Sequence, residues 1–178
     1  MRRAVLILGL MVLALAPTVP TVRAAVDEKP IQIALWNPVQ IYPEGVSIRG
    51  VRLNLLYGVN KDLRGLDVGI GNHLRGTFRG FQYGILGVVE GEMYGWQDNF
   101  VNITAAKMYG MQSGMFNQTG AGEGVQFGFV NLADGFEGVQ VGMLNQTKTL
   151  EGLQIGFINI ISEAKSHSIL PIVNWSFK

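Results

Sequence analysis

No cysteine occurs in the 178 residues. The chain therefore has no disulfide, no thiolate metal site and no thiol nucleophile. Histidine is nearly as scarce: His73 and His167 are the two present, and neither has a partner at metal-ligand spacing. Charged residues make up 15% of the chain and almost balance, 14 Lys and Arg against 13 Asp and Glu. Nucleic-acid binding asks for a strongly basic face, which this composition does not supply. Proline is confined: all six (Pro17, Pro20, Pro30, Pro38, Pro43 and Pro171) lie outside residues 44–170. A proline removes a ladder donor, so its exclusion marks that stretch as continuously paired chain.

Long apolar runs are also missing, except near the N-terminus. There Arg2 and Arg3 precede the apolar run Ala4–Ala16, and Val22-Arg23-Ala24 offers a small-residue cleavage site. Residues 1–24 read as a secretory signal peptide, since the run is short of the roughly 20 apolar residues a spanning helix needs. No cysteine follows it, which excludes lipid anchoring through a processed N-terminal cysteine. Cleavage would leave 154 residues, eleven basic and thirteen acidic, enough for one mildly acidic domain.

What the chain has in abundance is glycine, 24 residues, and it is periodic. A leading glycine recurs at Gly50, Gly65, Gly80, Gly95, Gly110, Gly124, Gly138 and Gly152, first every 15 residues and then every 14. Two residues later stand Arg52, Asp67 and then six glutamines, Gln82 to Gln154. Seven residues later stand Asn72, Asn102, Asn117, Asn131, Asn145 and Asn159, with Tyr57 and Gly87 as exceptions. A second glycine recurs four residues after the first, replaced by Asn54 and Asn99 in two repeats. A worn further copy ends in Ile172-Val173-Asn174.

A unit this short, with Val, Ile and Phe between glycines, favours extended chain over helix. In Val139-Gln140-Val141 and its cognates apolar residues alternate with glutamine, the mark of a half-buried strand with its apolar side toward the core. The expected fold is all-β, a parallel β-solenoid of about eight to nine coils of 14–15 residues with N- and C-terminal caps. An antiparallel β-barrel is the alternative. The solenoid is preferred because equivalent positions form sensible columns. The column just before the leading glycine runs Arg49, Arg64, Arg79, Tyr94, Tyr109, Glu123, Glu137, Glu151, from basic through aromatic to acidic. Arg52 also falls beside Asp67, and stacked amides can hydrogen-bond along the axis. The expected division is a signal peptide at 1–24, an N-terminal cap segment at 25–47, the repeat solenoid at 48–159, and a degenerate last coil with C-terminal cap at 160–178.

The string Gly-Leu-Gln-Ile-Gly-Phe-Ile-Asn at 152–159, with its cognates over 48–159, resembles the exported bacterial "surface repeat" proteins. The flanks LWNPVQIYPEG (35–45) and PIVNWSF (171–177) are similar to that family's ends. The resemblance implies an envelope or surface location and no known reaction.

No catalytic, cofactor or metal set is read. The sharpest irregularity is Asp98, which stands where other repeats have Leu53, Val68, Tyr83, Phe127, Val141 and Ile155, and is expected as an anomalous core position. Either the coil bulges there and turns Asp98 outward, or Asp98 shares a buried contact with Ser113. The stacked glutamates could hold a cation or a basic partner, and Tyr94 with Tyr109 could form an aromatic platform. Asn102, Asn117 and Asn145 match glycosylation acceptors, but they share one repeat phase. The expected function is a non-enzymatic exported envelope or surface protein, a structural or binding scaffold. A small outer-membrane barrel and a carbohydrate-binding or carbohydrate-active β-helix are the alternatives. Expected partners are an envelope protein, a glycan or a second copy of the chain, and not nucleic acid.

Overall fold

A computed structural model describes residues 28–164 and 168–177. The expected signal peptide and His167 lie outside them. The described residues form strands and turns and no helix. Seven elements follow in order: β1 (Glu28–Trp36), β2 (Val39–Gln40), β3 (Ser47–Asn60), β4 (Leu63–Leu74), β5 (Phe78–Val89), β6 (Met93–Ile161) and β7 (Ile169–Ser176).

The fold is a parallel β-solenoid. β1, β3, β4, β5 and the start of β6 pair in parallel, one above the next, about five turns in all. This is fewer than the eight to nine coils expected, and the remaining repeats lie inside the 69-residue β6. Like faces like: Gly50 pairs with Gly65, Gly65 with Gly80 and Gly80 with Gly95, while Arg49, Arg64, Arg79 and Tyr94 form one column. The antiparallel barrel is thereby excluded, because a barrel closes by pairing neighbouring strands in opposite directions. Among the described residues, antiparallel pairs lie at the two ends, β2 on β1 and β7 on β6.

The segment expected as an N-terminal cap supplies a rung of its own. β1 lies parallel on β3, with Gln32 opposite Arg52, and β2 folds back over it. At the other end the worn copy does not make a further parallel coil. After Ile161 the chain reverses, and β7 pairs antiparallel with the end of β6. Asn174 accordingly lies opposite Gln154 rather than over Asn159.

All eight leading glycines have positive φ, between 126° and 152°. This region disfavours any side chain. A Cβ there would also meet the rung before it: at Gly124 it would collide with the carbonyl oxygen of Gly110. The repeat glycine is thus required twice, by its dihedral and by the spacing of stacked backbones.

The interior reverses one expectation. Glutamine, not valine, points inward: Gln82, Gln97, Gln112, Gln126, Gln140 and Gln154 are all fully buried. Their apolar neighbours face out, with Phe127 56% and Ile155 39% exposed. A conventional apolar core is confined to one corner, where Ile48, Leu63, Phe78, Met93, Met108, Phe136 and Leu150 stack two residues before the leading glycines. A narrow coil favours flat amides, because they repeat at the strand spacing and satisfy one another across it.

Candidate functional site: an apolar groove outside an amide core

The core consists of two amide ladders running in opposite senses. In the first, Gln154 Nε2 donates to Gln140 Oε1 at 2.7 Å, Gln140 to Gln126 at 2.7 Å and Gln126 to Gln112 at 2.9 Å. The series continues through Gln97 and Gln82 and ends on the Asp67 carboxylate, which accepts from Gln82 Nε2 at 2.8 Å. Asp67 in turn holds Arg52 in a two-pronged ion pair, and both side chains are fully buried. In the second ladder Asn102 donates to Asn117, Asn117 to Asn131, Asn131 to Asn145 and Asn145 to Asn159, at 2.7–2.8 Å. Asn102, Asn117 and Asn145 are fully buried, so the three glycosylation-like motifs offer no acceptor on the folded chain.

The irregular repeats conform to the same logic. Where the asparagine position holds Gly87, Asn99 turns its amide into the space and donates to Gln82 Oε1 at 3.2 Å and Asn102 Oδ1 at 2.7 Å. In the first repeat the register shifts, so that Gly58 rather than Tyr57 stands opposite Asn72, and Asn54 turns its amide into that space and donates to Asn72 Oδ1 at 2.7 Å. The two departures at the second glycine replace two missing rungs of the ladder.

With the amides inside, the apolar side chains form an outer groove. Its floor is the second-glycine column and its walls are the residues on either side. One stretch, about 670 Å³, runs past Leu53, Leu55, Ile70, Tyr83 and Ile85. A second, about 920 Å³, runs past Met115, Phe127, Phe129, Met143, Ile155 and Phe157. β1 and β7 extend the same surface, since Ile33 lies opposite Leu53 and Trp175 opposite Leu153.

Asp98 belongs to this outer surface and not to the apolar core expected of its column; it points outward, as one of the two alternatives had it, in unshifted register with Tyr83. It is half-buried and accepts a hydrogen bond from Ser113 Oγ at 2.6 Å, while Trp96 Nε1 donates to that same Oγ at 2.9 Å. The pairing with Ser113 holds, on the opposite side of the strand from that expected. Since Leu53 and Tyr83 in the same column face solvent, a carboxylate there stays partly hydrated at little cost.

Along the border of the groove the charge column stands as spaced in the sequence. Arg49, Arg64 and Arg79 are exposed and in register. Tyr94 and Tyr109 stack with centroids 4.7 Å apart and planes 6° from parallel. The Arg79 guanidinium lies 4.4 Å over Tyr94 and Lys107 Nζ 4.5 Å over Tyr109. With their faces engaged by neighbours, these rings form a poor platform for a sugar. Tyr94 also donates to Glu92 at 2.6 Å, which raises its pKa. Lys107 is raised by its contacts with Tyr109 and with Glu123, the latter at 3.3 Å. Glu123 and Glu137 are exposed and Glu151 half-buried at the acidic end.

Sequence spacing missed one cluster. His73 lies within β4, with Tyr57 Oη 2.7 Å from Nδ1 and Glu90 Oε1 2.8 Å from Nε2. Burial raises the Tyr57 pKa. Both ring nitrogens are engaged, so the trio ties three successive rungs together. Among the described residues, no group of three or more His, Asp or Glu side chains could hold a metal ion.

No family model, curated protein or solved structure matches this chain.

Proposed function

We propose that the protein is a non-enzymatic exported scaffold of the cell envelope or surface, and that its outer apolar groove is a contact surface. The observation that carries this reading is the outward apolar face. Monomers rarely leave more than about 300–600 Å² of contiguous apolar surface uncovered, and larger patches mark interaction sites. Here it runs the length of the stack, with Leu55, Phe100 and Phe157 at 63%, 59% and 69% exposure.

The same reading takes β6 as further coils, eight full repeats in all between β1 and β7. Hydrogen bonds at 14-residue spacing through Gln112, Gln126, Gln140 and Gln154 support it, as does the crowding of Gly124, Gly138 and Gly152 on the preceding glycine. The non-enzymatic part rests on the groove walls. Of the residues lining both stretches only Asp98 carries a charge, and Ser113 engages it. Export rests on the N-terminal segment and on the resemblance to exported repeat proteins.

The cysteine-free chain makes the test direct. Single-cysteine variants Ile85→Cys and Phe129→Cys in the groove, with Gln146→Cys elsewhere on the surface, are expressed in the native host. Intact and fractionated cells are then treated with a polar maleimide. The reading expects processed protein in the envelope fraction, with Gln146→Cys labelled and both groove cysteines protected. Unprocessed cytoplasmic protein, or equal labelling at all three positions, contradicts it.

A further inference from the structure

The contact-surface reading leaves the occupant open, and the border charges identify it. We infer that the groove face is covered by a second copy of this chain, packed face to face and antiparallel about a two-fold axis. The inference rests on the proposed function and names its partner.

Three observations carry it. The first is charge order. Read from either end, the border column is its own complement: Arg49, Arg64, Arg79 and Tyr94 against Glu151, Glu137, Glu123 and Tyr109. A two-fold axis perpendicular to the stack, passing between Tyr94 and Tyr109, keeps this border on one side and reverses its order. Arg64 then meets Glu137 of the second copy, Arg79 meets Glu123, and the tyrosines meet at the centre. A parallel two-fold arrangement sends the two borders to opposite sides, where the charges never meet. Opposite charges at an interface rim fix orientation and register.

The second observation is the middle of the face. Asp98 and Ser113 are the polar interruption of the outward columns, and they stand in the repeats on either side of the same midpoint. Under the two-fold axis each lies across from the other's counterpart, so the one charged residue of the face meets a hydroxyl rather than an alkyl side chain.

The third is size. Ten rungs at about 4.8 Å span roughly 43 Å, and six residues of outward chain at about 3.3 Å each span nearly 20 Å. The product, about 850 Å², is close to the roughly 800 Å² that one partner contributes to a stable interface of ordinary size. Isologous contact also closes, whereas joining basic end to acidic end in line builds an open filament.

The purified protein provides the test. Sedimentation equilibrium is expected to give twice the chain mass, with no growth beyond it. Arg64→Cys and Glu137→Cys chains are mixed and treated with a short bismaleimide. The mixture is expected to cross-link between copies, and each variant alone is not, because identical residues lie five rungs, about 24 Å, apart. Arg64→Glu with Arg79→Glu is expected to raise the dimer dissociation constant at least tenfold, and adding Glu123→Arg with Glu137→Arg to restore it. A monomer at every concentration, open-ended growth, or cross-linking of Arg64→Cys to itself overturns the inference. The cell-labelling result separates the two readings. A monomer whose groove is protected in cells ends this inference and leaves the contact surface standing; a groove labelled in cells ends both.

Discussion

Arg52 and Asp67 face each other inside the coil stack, Nε to Oδ1 at 2.8 Å and Nη2 to Oδ2 at 2.7 Å, with neither side chain exposed. They occupy the glutamine column. A buried ion pair therefore terminates a neutral amide ladder whose donors all point toward the carboxylate.

Breaking a buried pair strands a charge and typically costs about 3–5 kcal/mol, whereas replacing both partners is often neutral. Asp67→Gln alone is expected to lose stability in that range, measured by urea denaturation. Arg52→Gln with Asp67→Gln extends the ladder by two rungs and recovers most of the loss. A single variant as stable as the double contradicts the role given to the pair.

Asn99 and Gly87 form a second coupled pair, one amide moved to fill one vacancy. Asn99→Gly is expected to cost about 1–3 kcal/mol by leaving buried acceptors short of a donor. Gly87→Asn alone collides with the Asn99 amide. The double variant restores the common repeat and should be more stable than either single, with a coupling energy above about 1 kcal/mol. Additive effects would show that the two irregularities are unrelated.

Glycines of the two phases differ from those outside the repeat. Gly124→Ala places a side chain at φ 135° against the Gly110 carbonyl and is expected to cost at least about 2 kcal/mol. At Gly142 and Gly156 φ is ordinary but the backbone approach is close, so valine there is expected to cost more than about 1 kcal/mol. At Gly45 an added Cβ meets nothing within 4 Å, and alanine is expected to be neutral. Equal effects at Gly45 and Gly124 would remove the crowding argument.

Asp98 gives the opposite expectation from a core carboxylate. Because its column faces outward, Asp98→Val matches Val68 and Val141 and is expected to change stability by less than about 1 kcal/mol. A loss above about 3 kcal/mol would place the residue in the interior.

The period, the parallel stacking and the charge column were legible because each depends only on residue identity at a fixed spacing. Arg49, Arg64, Arg79 and Tyr94 stack as the sequence aligns them. Which side of the strand faces inward was not legible. Alternation of Gln140 with Val139 and Val141 defines two faces without ordering them, and transfer free energies favour burying valine. The deciding term is collective: a glutamine is buried cheaply only when the rungs above and below satisfy it. The same blindness applied to Asp98, which looks misplaced in an apolar core and ordinary on an outer surface. The return of β7 was hidden because Ile172-Val173-Asn174 imitates a repeat at nearly the spacing of the others, although the strand pairs antiparallel.

The central claim is an amide core inside an apolar exterior, and side-chain amide hydrogen exchange by NMR addresses it most directly. The account predicts slow exchange at the Nε2 groups of Gln97, Gln112, Gln126, Gln140 and Gln154, which donate within the buried ladder. It predicts fast exchange at exposed Gln118 and Gln146 in the same molecule. Uniformly fast exchange at all seven side chains would place the glutamines outside and contradict the fold's polarity.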